Sequence, residues 1–162
     1  MLTVEAFTKQ DWPSIAQIYQ EGIHTGLATF ETEVPSWEQW DASHIKTCRI
    51  KAVSDTTILG WAALSPSSKR EVYNGVAEIS IYITSKHRGL GIGTLLLSTL
   101  IDLSEKAGFW TLQASIFSKN KASIALHQSL GFRTVGYREK IAKLQNTWHD
   151  NTILERRSKK IL

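Results

Sequence analysis

The residues with the clearest chemical meaning in this chain of 162 residues sit at one junction, Arg88-Gly89-Leu90-Gly91-Ile92-Gly93-Thr94. Glycine reaches backbone conformations closed to other residues and lets a ligand approach the main chain closely. Free N–H groups at a helix N-terminus, backed by the helix dipole, bind anions. Lys86 and Arg88 add positive charge to the same turn. Together these features describe a seat for a pyrophosphate. A phosphate loop of the nucleoside-triphosphatase type needs Gly-Lys followed by Ser or Thr. Here Gly93 is followed directly by Thr94. A dinucleotide fingerprint needs its third glycine one residue later and an acid at the end of the next strand. That strand, Thr111 to Phe117, ends without one. The spacing present is Arg88-x-x-Gly91-x-Gly93.

The elements around the turn follow from periodicity. Before it, Glu78-Ile79-Ser80-Ile81-Tyr82-Ile83 alternates strictly. As a strand it puts Ile79, Ile81 and Ile83 on one face and Glu78, Ser80 and Tyr82 on the other. After it, Leu95, Leu96, Leu97, Leu100, Ile101 and Leu103 form an apolar helix, which Gly108 closes. Asn120 caps a further helix running to about Leu130, ended by Gly131. Asn120 and His127 lie seven residues apart and so share one helical face to within about 20°.

Upstream, Leu2–Phe7 reads as a strand. Asp11 offers an N-cap to a helix carrying Ile15, Ile18, Tyr19 and Ile23 as far as His24. A second helix starts after Pro35-Ser36, with Ser36 as cap and Trp37 and Trp40 on one face. Arg49–Val53 and Thr57–Leu64 read as strands around a turn at Asp55. Thr111–Phe117, the segment from Phe132, and Trp148–Leu154 supply the rest. The order β-α-α-β-β-β-α-β-α-β-β has three strands in a row, which implies an α/β mixed sheet and not a doubly wound one.

Apolar residues make up 42% and charged residues 21% of the chain, enough for a core and fitting a single domain over 1–162. No stretch approaches the roughly 20 apolar residues of a membrane span, and the N-terminal residues do not read as a signal peptide. The single cysteine, Cys48, excludes an intramolecular disulfide framework and suits a reducing cytosol. Net charge is +4, part of it in Arg156, Arg157, Lys159 and Lys160, which read as a solvated tail. No nucleic-acid motif or metal-ligand spacing is found, so no nucleic-acid partner and no metal are expected.

With these motifs the chain resembles the GNAT superfamily of acyl-CoA-dependent N-acetyltransferases. There Gln/Arg-x-x-Gly-x-Gly/Ala grips the coenzyme pyrophosphate, and an asparagine opens a helix ending in Leu-Gly-Phe, here Asn120 through Leu130-Gly131-Phe132. The segments Thr29-Phe30-Glu31-Thr32-Glu33, Glu78–Ile83 and Trp148-His149-Asp150 resemble the branch acetylating phosphinothricin, methionine sulfoximine and related amino acids. The resemblance covers nearly the whole chain. It implies a mixed, mostly antiparallel sheet of about seven strands flanked by about four helices.

It also implies acetyl-CoA as co-substrate and a small-molecule amine as acceptor. The pyrophosphate would lie on Arg88, Gly89, Leu90, Gly91, Ile92, Gly93 and Thr94. The pantetheine arm would pair with the backbone of Ile81, Tyr82 and Ile83 like an added strand. Asn120 would reach a pantetheine amide or else serve only as a helix cap. Glu78 matches the family's general base, the Ile81 N–H would meet the oxyanion, and His127 would assist the departing thiolate or the amine proton. Phe30, Tyr73, Tyr82 and Trp148 would wall the amine pocket. Lys143, which matches the branch's carboxylate-binding lysine, lies five residues before Trp148 where the branch has four. Cys48 lies outside every motif, which favours direct transfer over an acetyl-cysteine. The branch further implies a homodimer with the Trp148 region near the partner; the cytoplasm is expected from the cysteine usage. The alternatives are an N-acetyltransferase of another amine class, such as a protein N-terminus, a polyamine or an aminoglycoside, and a non-catalytic acyl-CoA-binding module.

Overall fold

A computed structural model describes residues 1–162. The strands are β1 (Leu2–Ala6), β2 (Ile50–Ser54), β3 (Thr57–Pro66), β4 (Val76–Ile83), β5 (Thr111–Phe117), β6 (Arg133–Leu144) and β7 (Thr147–Arg157). The helices are α1 (Trp12–His24), α2 (Trp37–Ser43), α3 (Ile92–Lys106) and α4 (Lys121–Ser129). All seven strands form one sheet in the order β1-β2-β3-β4-β5-β7-β6. Every neighbouring pair is antiparallel except β4 and β5. The mixed, mostly antiparallel sheet with four helices is the architecture expected.

Local chemistry explains most boundaries. Ser36 Oγ accepts the Gln39 N–H at 3.2 Å while Gln39 Oε1 accepts the Ser36 N–H at 3.1 Å, a closed capping box. Asp11 behaves differently from the expected cap. Its carboxylate accepts the Thr8 N–H at 3.0 Å and the Lys51 ammonium at 2.8 Å. The capping geometry therefore begins one turn earlier, at Thr8, around a 3₁₀ turn Lys9–Asp11.

The sheet divides two cores. On one side Leu96, Leu97 and Leu100 of α3, all fully buried, pack against Ile50, Leu64, Leu112 and Leu154, with Ile79, Ile81 and Ile83 of β4 joining them. Each such leucine contributes about 1.5–3 kcal/mol. On the other side Phe7, Ile15, Trp40 and Trp61 pack with α1 and α2, and Tyr82 of β4 turns toward them. The alternation of β4 thus assigns each face to a different layer.

The basic C-terminal run is only partly a solvated tail: Lys159 and Lys160 are exposed beyond β7, but the two arginines are not tail residues. Arg156 and Arg157 belong to β7, and Arg156 Nη1 donates to the Glu105 carboxylate on α3 at 2.8 Å. The Glu105 side chain is only 6% exposed, so the pair replaces water that the carboxylate has lost.

Candidate active site

The site originates where two strands part. β4 and β5 are in parallel register only at Val76↔Thr111, Ala77↔Leu112 and Glu78↔Gln113. Beyond Glu78 they diverge, and the β5-facing edge of β4 has no ladder partner. Which residues open onto that gap follows from alternation. The Thr84 N–H donates to the Leu59 carbonyl at 2.8 Å, toward β3. Backbone groups alternate sides along a strand, so Tyr82 also faces β3, while Ile81 and Ile83 face the gap. The Tyr82 carbonyl lies 2.9 Å from where a Cβ on Gly60 of β3 would stand, as that alternation requires. Tyr82 was expected to share in backbone pairing with the pantetheine arm; its backbone faces β3 instead, and its ring packs against Tyr19 and Trp61.

On the α3 side of the gap lies a cavity of about 450 Å³ between the glycine turn and α4. Gly89 and Gly91 have φ values of +78° and +82°, and a Cβ at either would meet no atom within 4 Å. The chain therefore needs glycine for its conformation while the space beside it stays open. No side chain caps α3 at Gly91, so the N–H groups of its first turn have no intrahelical partner. Gly93 lets α4 approach, since a Cβ there would lie 3.1 Å from Leu126. Arg88, Gly89, Gly91, Ile92, Gly93 and Thr94 all line this cavity; Leu90 does not and stands exposed. An open cradle of glycines, free N–H groups and one guanidinium fits a coenzyme pyrophosphate.

Asn120 stands between the two sides and both ends of its amide are engaged. Oδ1 accepts the Ser123 N–H at 3.2 Å, capping α4, and Nδ2 donates to the Leu27 carbonyl at 3.3 Å. The residue thus ties α4 to the loop that follows α1.

The second cavity, about 480 Å³, opens on the α1 face and meets the first at Ala28, Ile81, Tyr82, Asn120 and Ser123. Glu78 lines it, half-buried, with no hydrogen-bonding side chain or ion-pair partner, and burial pushes its carboxyl above the ordinary range. His127 is 2% exposed, and its Nδ1 lies 2.7 Å from the Ser123 carbonyl. A carbonyl only accepts, so Nδ1 carries the proton and Nε2 is the basic nitrogen. Burial pulls the His127 pKa down, against the smaller opposing effect of that hydrogen bond. Burial thus favours the neutral ring, with Nε2 left as the nitrogen that can accept a hydrogen bond or a proton.

The opposite wall is aromatic. Tyr82 stacks on Tyr19 at 4.9 Å and on Trp61 at 5.0 Å between centroids. Burial, reinforced by the neighbouring Tyr19, raises the Tyr82 phenol far above its usual range. Phe30 lines the cavity and also anchors its loop, with its ring 4.5 Å from that of Phe117 on β5. Thr29, Glu31 and Asn151 also line it. Sequence reasoning did not assign Tyr19, Thr29, Glu31 or Asn151 to the site. Tyr19 is indistinguishable in sequence from the other apolar residues of α1.

Tyr73, Lys143 and Trp148 line neither cavity. Tyr73 is exposed beneath the Arg70 guanidinium, 5.6 Å from its ring. Lys143 and Trp148 are register partners across the β6–β7 hairpin, with the ammonium 4.8 Å above an indole that is 52% exposed. No lysine or arginine lines the α1-side cavity.

Comparison with known proteins agrees with the geometry. The model of the acetyltransferase (GNAT) family matches residues 12–132. Phosphinothricin N-acetyltransferase of Alcaligenes faecalis is 31% identical over 160 residues, 95% of this chain and 81% of that protein. The L-methionine sulfoximine/L-methionine sulfone acetyltransferase of Pseudomonas paraeruginosa is 30% identical, over 90% of this chain and 88% of that one. A crystal structure of a GNAT superfamily phosphinothricin acetyltransferase from Sinorhizobium meliloti, in complex with AcCoA, superposes with a TM-score of 0.88 at 30% identity. It covers 96% of this chain and 88% of that one. With the family model matching most of the chain and relatives about 30% identical over nine-tenths or more of it, the chain belongs to the GNAT acetyltransferase family, as an N-acetyltransferase.

Proposed function

We propose that residues 1–162 act as one acetyltransferase domain. It moves the acetyl group of acetyl-CoA onto the primary amine of a small amino acid or analogue of the methionine sulfoximine, methionine sulfone or phosphinothricin type. The observation that carries this reading is the meeting of the two cavities at Ile81, where an open strand edge separates a phosphate cradle from a pocket holding a carboxylate with raised pKa. The names of the relatives supply the acceptor class.

The residues divide the work as follows. Arg88 and the Gly89–Thr94 backbone hold the pyrophosphate, and the Ile81 and Ile83 backbone pairs with the pantetheine arm. A primary amine is protonated below about pH 10 and has no lone pair until a base removes the proton. Glu78 takes that proton, directly or through water. The Ile81 N–H faces the gap and stabilises negative charge on the thioester oxygen. His127, neutral with Nε2 free, relays a proton. The Cys48 thiol is raised by burial and lines neither cavity, so the amine attacks directly in a ternary complex.

The α1-side cavity has no cation for a substrate carboxylate, and the β6–β7 hairpin exposes Val135, Tyr137 and Trp148. Both features support a homodimer that covers the hairpin and presents Lys143 to the acceptor of the neighbouring copy. No helix is long and apolar enough to cross a membrane; with one half-buried thiol, the cytoplasm is the compartment we assign. The test is thiol release from acetyl-CoA across a panel of amino-acid analogues, polyamines, aminoglycosides and peptide N-termini. Turnover on methionine sulfoximine or phosphinothricin well above the rest is expected; a clear preference for another class overturns the substrate. Sedimentation should give twice the 18.2 kDa chain mass, and a monomer at micromolar concentration removes the dimer.

A further inference from the structure

We propose that Glu21 is a positioning residue for the coenzyme turn, holding its upstream end so that the glycine cradle is formed before the coenzyme arrives. The segment between β4 and α3 begins with a 3₁₀ turn, Ser85–His87, whose own N-cap residue Thr84 makes no side-chain cap. Glu21, from the distant helix α1, fills that place. Its Oε2 accepts the Ser85 N–H at 2.7 Å and the Thr84 hydroxyl at 3.0 Å. Burial alone would raise the Glu21 carboxyl; these hydrogen bonds and the nearby charge of Arg88 outweigh it and hold the group ionised, below its usual range.

The adjacent residue explains how α1 comes near enough. A Cβ on Gly22 would lie 2.5 Å from Tyr82 Cδ1. Only glycine lets α1 cross β4 there, and that close crossing delivers Glu21 to the end of β4. Downstream the turn runs through Gly89 and Gly91, both at positive φ with open space beside them, and glycine has more backbone freedom to lose than any other residue. A segment with that freedom pays ordering entropy on binding unless one end is already fixed. Glu21 lines neither cavity. It acts through Ser85 and Thr84.

The proposal rests on the turn holding the coenzyme pyrophosphate, and the experiment separates the two ideas. Steady-state kinetics are measured with acetyl-CoA and with S-acetylpantetheine, which has the thioester arm but no pyrophosphate, alongside melting temperatures. In Glu21→Ala, KM for acetyl-CoA should rise about 10-fold, the effect of losing a charge-assisted hydrogen bond. Its kcat, and its kcat/KM for S-acetylpantetheine, should stay within about twofold. Glu21→Gln keeps an acceptor for the Ser85 N–H and removes a negative charge near the phosphates, so it should recover most of the affinity. An unchanged KM for acetyl-CoA in Glu21→Ala overturns the proposal. So does an equal loss on both donors, which marks general destabilisation. If the wild-type enzyme uses S-acetylpantetheine as well as acetyl-CoA, the pyrophosphate assignment itself fails and takes the proposal with it.

Discussion

Glu78 and His127 are ionisable groups on which burial is the leading influence, and it acts on them in opposite chemical senses. For Glu78 it favours the acid form, so the carboxylate that accepts an amine proton is populated only above the usual carboxylate range. The acid limb of the kcat/KM profile should therefore lie above that range. Glu78→Gln should lower turnover by about 10²–10⁴-fold with acetyl-CoA affinity retained, and the deficit should shrink at high pH. Activity within twofold of wild type at every pH would assign the base elsewhere.

For His127 burial favours the neutral ring, whose ordinary pKa is 6.5. The unfolded chain takes up this proton as pH falls through 6.5, whereas the folded ring resists until a lower pH. Stability contributed by the neutral ring is thus complete above 6.5 and is lost as pH falls below it. Urea titrations of wild type should show that decline and His127→Ala a shallower one. Part of the slope should persist, because burial lowers the pKa of His44 in the same way. In kinetics His127→Ala should reduce kcat more than it raises KM for acetyl-CoA. His127→Tyr should not restore kcat, since a phenol, unlike imidazole, does not take up a proton near neutral pH; full restoration would show that donating a proton is the part His127 plays.

At the scale of elements, β4 and the turn after it work as one device. The strand supplies an open edge because its ladder with β5 stops at Glu78↔Gln113, and the turn supplies a cradle because two of its residues have positive φ. Gly91→Val strains the backbone at φ +82° and places a side chain in the space the phosphates need. At acetyl-CoA near 100 times its Kd, binding should stabilise the wild-type fold by about 2.7 kcal/mol. The coenzyme-induced rise in Tm should vanish in Gly91→Val. An undiminished rise would move the pyrophosphate to another part of the chain.

Across the whole molecule, the last strand fastens the far half of the sheet to α3. Arg156 of β7 donates to Glu105, and Lys160 stands 3.6 Å from the same carboxylate. Burial would raise the Glu105 pKa, but the Arg156 hydrogen bond and both cations hold it down. Arg156→Leu leaves that carboxylate short of its best partner in a poorly solvated place. It should destabilise the fold by about 2 kcal/mol, whereas Lys159→Leu, outside the pair, should have little effect on Tm. Equal melting temperatures for the two variants would show that the contact contributes nothing.

What could be read from the sequence is what short-range physics determines. Period-two alternation in Glu78–Ile83 and Thr111–Phe117, the Ser36 and Asn120 caps, and the closing glycines Gly108 and Gly131 each depend on neighbours a few residues away. They came out within a residue or two of their observed places. The glycine turn was legible for the same reason, because positive φ is a property of one residue. The tertiary structure alone decided where the β4–β5 ladder ends, and hence that Ile81 and Ile83 open to the gap while Tyr82 faces β3. It alone brought Tyr19 and Asn151 to the α1-side cavity and left Tyr73, Lys143 and Trp148 outside it. It also made Arg156 and Arg157, the first half of the basic run, a strand end, with the buried Glu105 opposite Arg156. Each of these depends on groups tens of residues apart meeting across the sheet, and pairings at that distance are set by how the layers pack, which no local pattern encodes.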